Sequence, residues 1–180
     1  MQCFAADGIS GTSMADIVRA SGLSSGAIYS HFDSKAELLR YVMSTMLEER
    51  FTSLSAEPGS TEDVVTPEVL LHRLLEGPSA DRAQTSVLVQ VWGEMARDSA
   101  LTAVAEENLA HLRRLLLATL TPWAEQAASA ERTEETSARA ADWLIAVTFG
   151  YATVLALHTA GEPAGLRASL LGAARSLTHR

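Results

Sequence analysis

The segment from residue 8 to residue 38, GISGTSMADIVRASGLSSGAIYSHFDSKAEL, constrains the fold more than any other part of the chain. Ser13 is a typical residue at the start of a helix. Its hydroxyl can accept the backbone N–H of Asp16 while the carboxylate of Asp16 bonds back, which makes a capping box. This pattern predicts a short helix over residues 14–20, with Ile17 pointing inward.

A tight turn and a second short helix are predicted next. Gly22 lies where the chain must turn sharply, in a conformation that glycine adopts without a Cβ penalty. Leu23 is expected to fill the corner. Ser24 is expected to cap a second helix, in which Ile28 and Phe32 lie four apart on one inward face. Two short helices joined in this way indicate a helix-turn-helix, whose second helix can enter the major groove of DNA.

The outward side of this second helix suits contact with DNA. Ser25, Gly26 and Ala27 are small, so the backbone can approach base edges and phosphates closely. Tyr29 and His31 can then reach phosphate oxygens. We therefore expect this side to be the DNA-reading surface.

Lys35 is the only lysine in the chain, and it follows Ser34, which can cap a third helix. A cation in the first turn opposes the helix dipole. One interpretation is a phosphate clamp, for which a long flexible cation is suited. The other is an ordinary solvated surface lysine, and the sequence leaves both open.

These residues resemble the DNA-binding domain of the tetracycline-repressor (TetR) family of bacterial regulators. The similarity is carried by the glycine and serine/threonine pattern from Gly8 to Ser13, then by Asp16-Ile17, Ala20-Ser21-Gly22-Leu23-Ser24, Gly26, Ile28-Tyr29, His31-Phe32, Ser34-Lys35 and Leu38. The resemblance implies a repressor that binds operator DNA as a homodimer and is released by a small molecule. By similarity the expected DNA contacts are Ser25, Ala27, Tyr29, His31 and Lys35, the last three mostly on phosphates, and the predicted site also includes Ser13, Ser24 and Gly26.

The start of the chain departs from the family pattern. Members usually begin with a basic arm and a complete first helix, whereas only residues 1–7 precede Gly8. Residues 1–50 carry four basic and six acidic side chains, which is low for a DNA reader. We expect either a true start upstream of Met1, which is favoured, or a truncated first helix with a weaker phosphate grip.

Composition narrows the possible classes further. The chain has 180 residues and a net charge of −8, which argues against coating nucleic acid by bulk electrostatics. Any DNA contact must therefore be local. The single cysteine, Cys3, gives no disulfide framework and the N-terminus carries no secretory signal, so a cytoplasmic location is expected.

The rest of the chain is predicted to be helical, because strand signals are almost absent and Ala, Leu, Arg and Glu dominate. Breakers at 57–60, 77–79, 129–137 and 161–163 separate predicted helices near 35–53, 67–76, 83–97, 101–127, 137–159 and 164–178. Thr66-Pro67 and Glu162-Pro163 each look like a helix start. We predict an all-α protein with a helix-turn-helix DNA-binding domain over 1–46 and a larger ligand-binding and dimerisation domain over 47–180.

Residues 143–157 are apolar except for Thr148, Gly150 and Thr153. This run of fifteen is too short for a membrane span, which needs about 20 residues. We expect instead a helix buried by its own core and by a partner subunit, in a four-helix interface. The predicted interface residues are Trp143, Val147, Val154, Ala156, Leu166, Leu170, Ala174 and Leu177.

The stretch LVQVWGEMARDSAL, residues 88–101, is similar to a helix of many family members. Leu88, Trp92 and Met95 share one helical face and, with Phe149, are predicted to line an effector pocket between helices. Ordinary core packing explains the same pattern. Because few charges fall in these stretches, the expected effector is a small hydrophobic molecule.

The sequence contains no zinc-protease, phosphate-loop or serine-hydrolase motif, so no enzyme, cofactor or metal site is expected. Glu107 and His111, four apart, are interpreted as a surface pair. The alternative to a repressor is a helical ligand- or protein-binding dimer of the same fold that has lost DNA binding.

Overall fold

The computed structural model describes residues 11–42, 44–45, 64–80, 82–97, 99–158 and 160–177. Within these ranges the chain forms helices and turns, and no strand occurs. The all-α prediction is confirmed. The predicted truncation of the first helix lies outside the described residues.

The described N-terminal residues include α1 over Met14–Ser21, α2 over Ser25–Tyr29 and α3, which is helical at 35–42 and 44–45. Both bonds of the predicted capping box are present, from the Asp16 amide to Ser13 Oγ at 3.2 Å and from the Ser13 amide to Asp16 Oδ2 at 2.9 Å. Gly22 ends α1 with φ of 70°, the left-handed conformation predicted for it. The two-helix motif is therefore built as its local sequence predicts.

Five longer helices form the remainder: α4 over Pro67–Ala80, α5 over Arg82–Met95, α6 over Ser99–Ala127, α7 over Thr133–Leu157 and α8 over Leu166–Ser176. A single 3₁₀ turn, Ala130–Arg132, joins α6 to α7 as a hairpin. The central helix is α7, which contacts α4, α5 and α6, while α8 packs on α4.

Two apolar clusters hold the helices together. The larger one joins α4, α6, α7 and α8, and its fully buried members include Leu71, Leu120 and Leu144. The smaller one joins Leu39 of α3 to Val91 of α5 and to α6. Because α3 belongs to the N-terminal part, this second cluster fastens that part to the long helices.

Helix α7 with the preceding 3₁₀ turn, residues 130–157, is long and apolar enough to cross a membrane by length and composition, since an 18-residue window within it has a mean hydropathy of 1.6; 33% of that window is buried. It contacts three other helices of this fold, α4, α5 and α6. Its apolar character is accounted for on those sides by the core that it forms with α4, α5 and α6.

Three predicted boundaries are wrong. The polar stretch 129–137 is not a long loop, because α7 begins at Thr133 and places Glu134 and Glu135 in its first turn, where acidic side chains favour the dipole. Helix α4 continues through 77–79 to residue 80. The last helix begins at Leu166 after Gly165, with φ of 79°, and not at the Glu162-Pro163 pair.

Two ion pairs connect neighbouring long helices at the surface of the bundle. Arg113 of α6 donates from Nε to Asp142 Oδ1 of α7 at 2.6 Å and from Nη2 to Oδ2 at 3.2 Å. Arg175 of α8 donates to Glu68 of α4 at 2.6 Å. The arginine hydrogen bonds hold the pKa of each carboxyl below its usual value, so both pairs are charged at neutral pH.

Candidate functional site

Helix α2 is anchored through one buried residue, and its outward side is exposed. Ser24 Oγ accepts the amide of Ala27 at 3.2 Å, as predicted for the cap. Ile28 is 7% exposed and anchors the inward side. On the outward side Ser25, Ala27 and Tyr29 are all exposed. Gly26 and His31, also predicted DNA contacts, are exposed as well.

The turn between α1 and α2 is closed by polar bonds and not by Leu23. The predicted burial of Leu23 is wrong, since its side chain is 59% exposed. Ser21 Oγ donates to the carbonyl of Val18 at 2.9 Å and accepts the amide of Leu23 at 3.1 Å. The corner is therefore held by the backbone and one hydroxyl, and Leu23 adds an apolar side chain to the same exposed surface as α2.

Lys35 has a structural contact that its sequence position did not reveal. Its Nζ lies 3.1 Å from the backbone oxygen of Thr12, a residue that is 1% exposed and immediately precedes the α1 cap. This bond spans 23 residues and ties the start of α3 to the start of α1. Lys35 is therefore not a freely solvated surface lysine. Any phosphate that it contacts would be a second partner, beside the Thr12 carbonyl.

The electrostatics around the motif are balanced. Among residues 11–45 the described cations are Arg19, Lys35 and Arg40, and three carboxylates accompany them. One of these, Asp16, is used by the capping box, whose hydrogen bonds from Ser13 hold its pKa below 3.8. Arg19 in turn lies 3.1 Å from Asp16. Any attraction of phosphate must therefore come from single positioned groups.

The four residues predicted to line an effector pocket lie in the small apolar cluster and in an aromatic pair beside it. Met95 is 4% exposed and belongs to the small apolar cluster, against which the half-buried Leu88 and Trp92 also pack. Phe149 stacks on Trp92, with ring centroids 4.3 Å apart and an interplanar angle of 23°. The two rings fill the space between them, so α5 and α7 meet here through an aromatic pair. An open groove of about 470 Å³ lies elsewhere, at the start of α8 around Pro163, Arg167 and Leu171.

The predicted dimer surface divides into buried and exposed positions. Val154 is 39% exposed, and most of the others are half-buried, namely Trp143, Val147, Ala156, Leu166, Leu170 and Leu177. Ala174 is 0% exposed and belongs to the core cluster with α4, so its assignment to an interface is wrong. The reason is that α8 turns its apolar stripe partly toward its own subunit.

Sequence reasoning missed three residues that the structure singles out. Leu157, at the end of α7, is 75% exposed, and its alternating four- and three-residue spacing from Trp143 is a signal that could have found it. Thr12 has no such signal, because its partner is 23 positions away. Asn108 on α6 has a buried amide nitrogen, Nδ2, with no hydrogen-bond partner in the described part of the chain.

A metal centre has no candidate in the described ranges, where no group of three His, Cys, Asp or Glu side chains could hold an ion. A capped helix-turn-helix with an exposed second helix, on a bundle of long helices, defines a helical DNA-binding regulator. Residues 1–42 match the family described as bacterial regulatory proteins, tetR family. The match covers the helix-turn-helix part of the chain, and it agrees with the family resemblance predicted from the sequence.

The likeness to solved structures extends over the whole chain. GusR of Salmonella enterica matches with a TM-score of 0.77 at 23% identity, covering 99% of this chain and 91% of that one. A transcriptional regulator of Rhodococcus sp. Rha1 matches with a TM-score of 0.74 at 21% identity, covering 98% and 90%. The ketosteroid transcriptional regulator KstR2 of Mycobacterium tuberculosis matches with a TM-score of 0.61 at 17% identity, covering 99% and 88%. At these identities the likeness shows the fold. No curated protein matches the chain.

Proposed function

We propose that this regulator is a cytoplasmic repressor that binds operator DNA as a homodimer and is released by a small hydrophobic effector. The observation that carries the proposal is the outward side of α2. Ser25, Ala27 and Tyr29 are exposed on a helix whose other side is anchored by Ile28. None of these three outward residues is buried in the core. A helix with such small and polar outward side chains has the shape and polarity that the major groove accepts.

The division of labour on this surface follows from side-chain length. With α2 in the major groove, the side chains of Ser25 and Ala27 are too short to reach the DNA phosphates, so they contact base edges. A serine hydroxyl bonds to several bases, and an alanine methyl fits the 5-methyl group of thymine. Tyr29, His31 and Lys35 are longer and flank the helix, so they contact phosphates.

The dimer proposal rests on an apolar stripe along α7. Its members are Trp143, Val147, Gly150, Val154 and Leu157, which repeat at alternating spacings of four and three. This is the spacing at which one helix packs along another. Exposure rises along the stripe from the half-buried Trp143 to Leu157 at 75%. A second copy of the same stripe would cover it and would present two α2 helices to a two-fold operator.

The effector proposal rests on the cluster that joins the two parts of the chain. Ile17 of α1 and Leu39 of α3 pack with Met95 of α5, against which Trp92 also packs. A molecule bound beside the Trp92–Phe149 pair would displace residues that touch α1 and α3. Release requires that the effector bind the displaced arrangement more tightly than the operator-bound one.

The test uses fluorescently labelled DNA from the region upstream of the protein's own coding sequence, with anisotropy as the readout. Tyr29→Phe removes one hydroxyl from each protomer and should weaken binding by at least about tenfold, because a hydrogen bond to a charged group contributes about 1.5–3 kcal/mol. Tyr41→Phe, at an exposed tyrosine of α3, is the matched control and should bind as the wild type does. Failure of the wild-type protein to bind this DNA or any duplex selected from random sequence would favour a dimer of the same fold without DNA binding.

A further inference from the structure

Asn108 is a polar residue on the inward face of α6, between the two apolar clusters of the subunit. Ala105, one turn earlier, packs on the cluster of α3, α5 and α6, whereas Leu112, one turn later, belongs to the large core. The Nδ2 atom of Asn108 is buried and has no partner among the described residues. An amide donor without a partner in such surroundings lowers stability, since it has left water and gained no bond.

The position of Asn108 along the bundle follows from the ion pair between α6 and α7. These helices form an antiparallel hairpin, and Arg113 bonds to Asp142 in a bidentate pair. Asn108 is five residues before Arg113, and Val147 is five residues after Asp142. At 1.5 Å per residue the two therefore lie at the same level, with Phe149 only about 3 Å further along.

The buried amide and the aromatic pair therefore occupy one level of the bundle. Phe149 of α7 stacks on Trp92 of α5 at 4.3 Å. Trp92 also packs on the same cluster as Ala105, one turn from Asn108. Three helices thus contribute groups at this level of the bundle: an aromatic pair from α5 and α7, and an unpaired hydrogen-bond donor from α6.

We infer that Nδ2 of Asn108 donates to an acceptor atom of the effector, which is a flat apolar molecule bearing a carbonyl group. A hydrocarbon would leave the donor unpaired, and a site with a buried donor discriminates strongly against ligands without the matching acceptor. This inference rests on the proposed ligand-responsive function and specifies the chemistry of its effector.

The first test needs no ligand. Asn108→Leu keeps the branched shape of the side chain and removes the buried donor, so the melting temperature of the ligand-free protein should rise by about 2–6 °C. Thr148→Val is the matched control, because the Thr148 hydroxyl already donates to the Leu144 carbonyl at 2.8 Å and its loss should give no such rise. A lower melting temperature for Asn108→Leu would mean that the amide is satisfied within the folded protein, and it would overturn the inference.

The second test uses a probe pair that differs in one atom group. 2-Acetylnaphthalene and 2-isopropenylnaphthalene have the same shape, but only the first has a carbonyl oxygen. By calorimetry the ketone should bind the wild-type protein at least about tenfold more tightly than the alkene, and Asn108→Leu should abolish this preference while Thr148→Val retains it. No binding of the ketone, or equal preference in wild-type protein and Asn108→Leu, would overturn the inference.

Titrating both probes into the complex with operator DNA separates the two proposals. If the ketone binds through Asn108 and leaves the operator affinity unchanged, the proposed effector-controlled repressor fails while the role of Asn108 stands. If both probes release DNA equally from wild-type protein and from Asn108→Leu, the repressor stands and the role of Asn108 fails.

Discussion

Leu157 offers the sharpest test of the dimer, because a 75% exposed leucine at the end of the central helix costs little to lose in a monomer. Full burial of a leucine side chain contributes about 1.5–3 kcal/mol relative to full exposure. An interface that covers the exposed three quarters would gain about 1–2 kcal/mol from each copy. In a two-fold dimer the residue is present twice, so Leu157→Ser should weaken association by about 2–4 kcal/mol, which is roughly a 30- to 1000-fold rise in the dimer dissociation constant.

The assay is sedimentation velocity over a dilution series, with operator binding measured on the same samples. Leu109→Ser is the matched control, since Leu109 is a 44% exposed leucine on α6 and is outside the stripe. It should dissociate as the wild type does. Wild-type protein that is monomeric at micromolar concentration, or a Leu157→Ser variant that dimerises as tightly as the control, would refute the interface on α7.

Three further outcomes follow from the described contacts. Lys35→Ala should weaken binding to all DNA sequences alike and reduce the slope of log affinity against log salt concentration by about 1 per protomer, whereas Ala27→Ser should change sequence preference. Selection from random duplexes with both variants checks the preference, and an unchanged slope for Lys35→Ala would exclude a phosphate contact. Ser13→Ala should destabilise the N-terminal helices by about 0.5–2 kcal/mol through loss of the cap, as seen by chemical denaturation, and an unchanged midpoint would contradict the capping role. Glu68→Gln should lower the melting temperature at pH 7, and the difference from the wild type should shrink in acid. The hydrogen bond from Arg175 holds the pKa of Glu68 below its usual value, so the contribution of the ion pair is complete above the usual pKa and is lost as the pH falls through the lowered one. A difference that stays constant throughout an acid titration would mean that charge is not the cause.

The elements that sequence reasoning predicted correctly depend on bonds within a few residues. The Ser13 and Ser24 caps and the left-handed Gly22 need only their own neighbours, because a capping hydroxyl reaches the amide two or three residues ahead. The Thr66 cap follows the same rule, with its hydroxyl 3.4 Å from the Val69 amide. The class of the protein could be predicted for this reason: its identifying motif is local.

The errors arose where a residue's environment depends on distant parts of the chain. Leu23 is apolar, yet no element packs over the corner it occupies closely enough to bury it, and it stays exposed. Ala174 shares a helical stripe with leucines, but the packing of α8 on α4 and not the stripe decides which members are buried. Periodicity identifies the apolar face of a helix without saying whether that face meets the same subunit or another one.

Composition and local pattern were enough to predict a helical chain with a capped helix-turn-helix and one helix that is apolar all round. The reason is that helix propensity, caps and periodicity act over fewer than about ten residues. The contacts most relevant to function act over much longer separations along the chain. Lys35 reaches the Thr12 carbonyl across 23 residues, and Trp92 stacks on Phe149 from a different helix. Asn108 is an ordinary polar residue in the sequence, and only the tertiary packing leaves its Nδ2 atom buried and without a partner among the described residues.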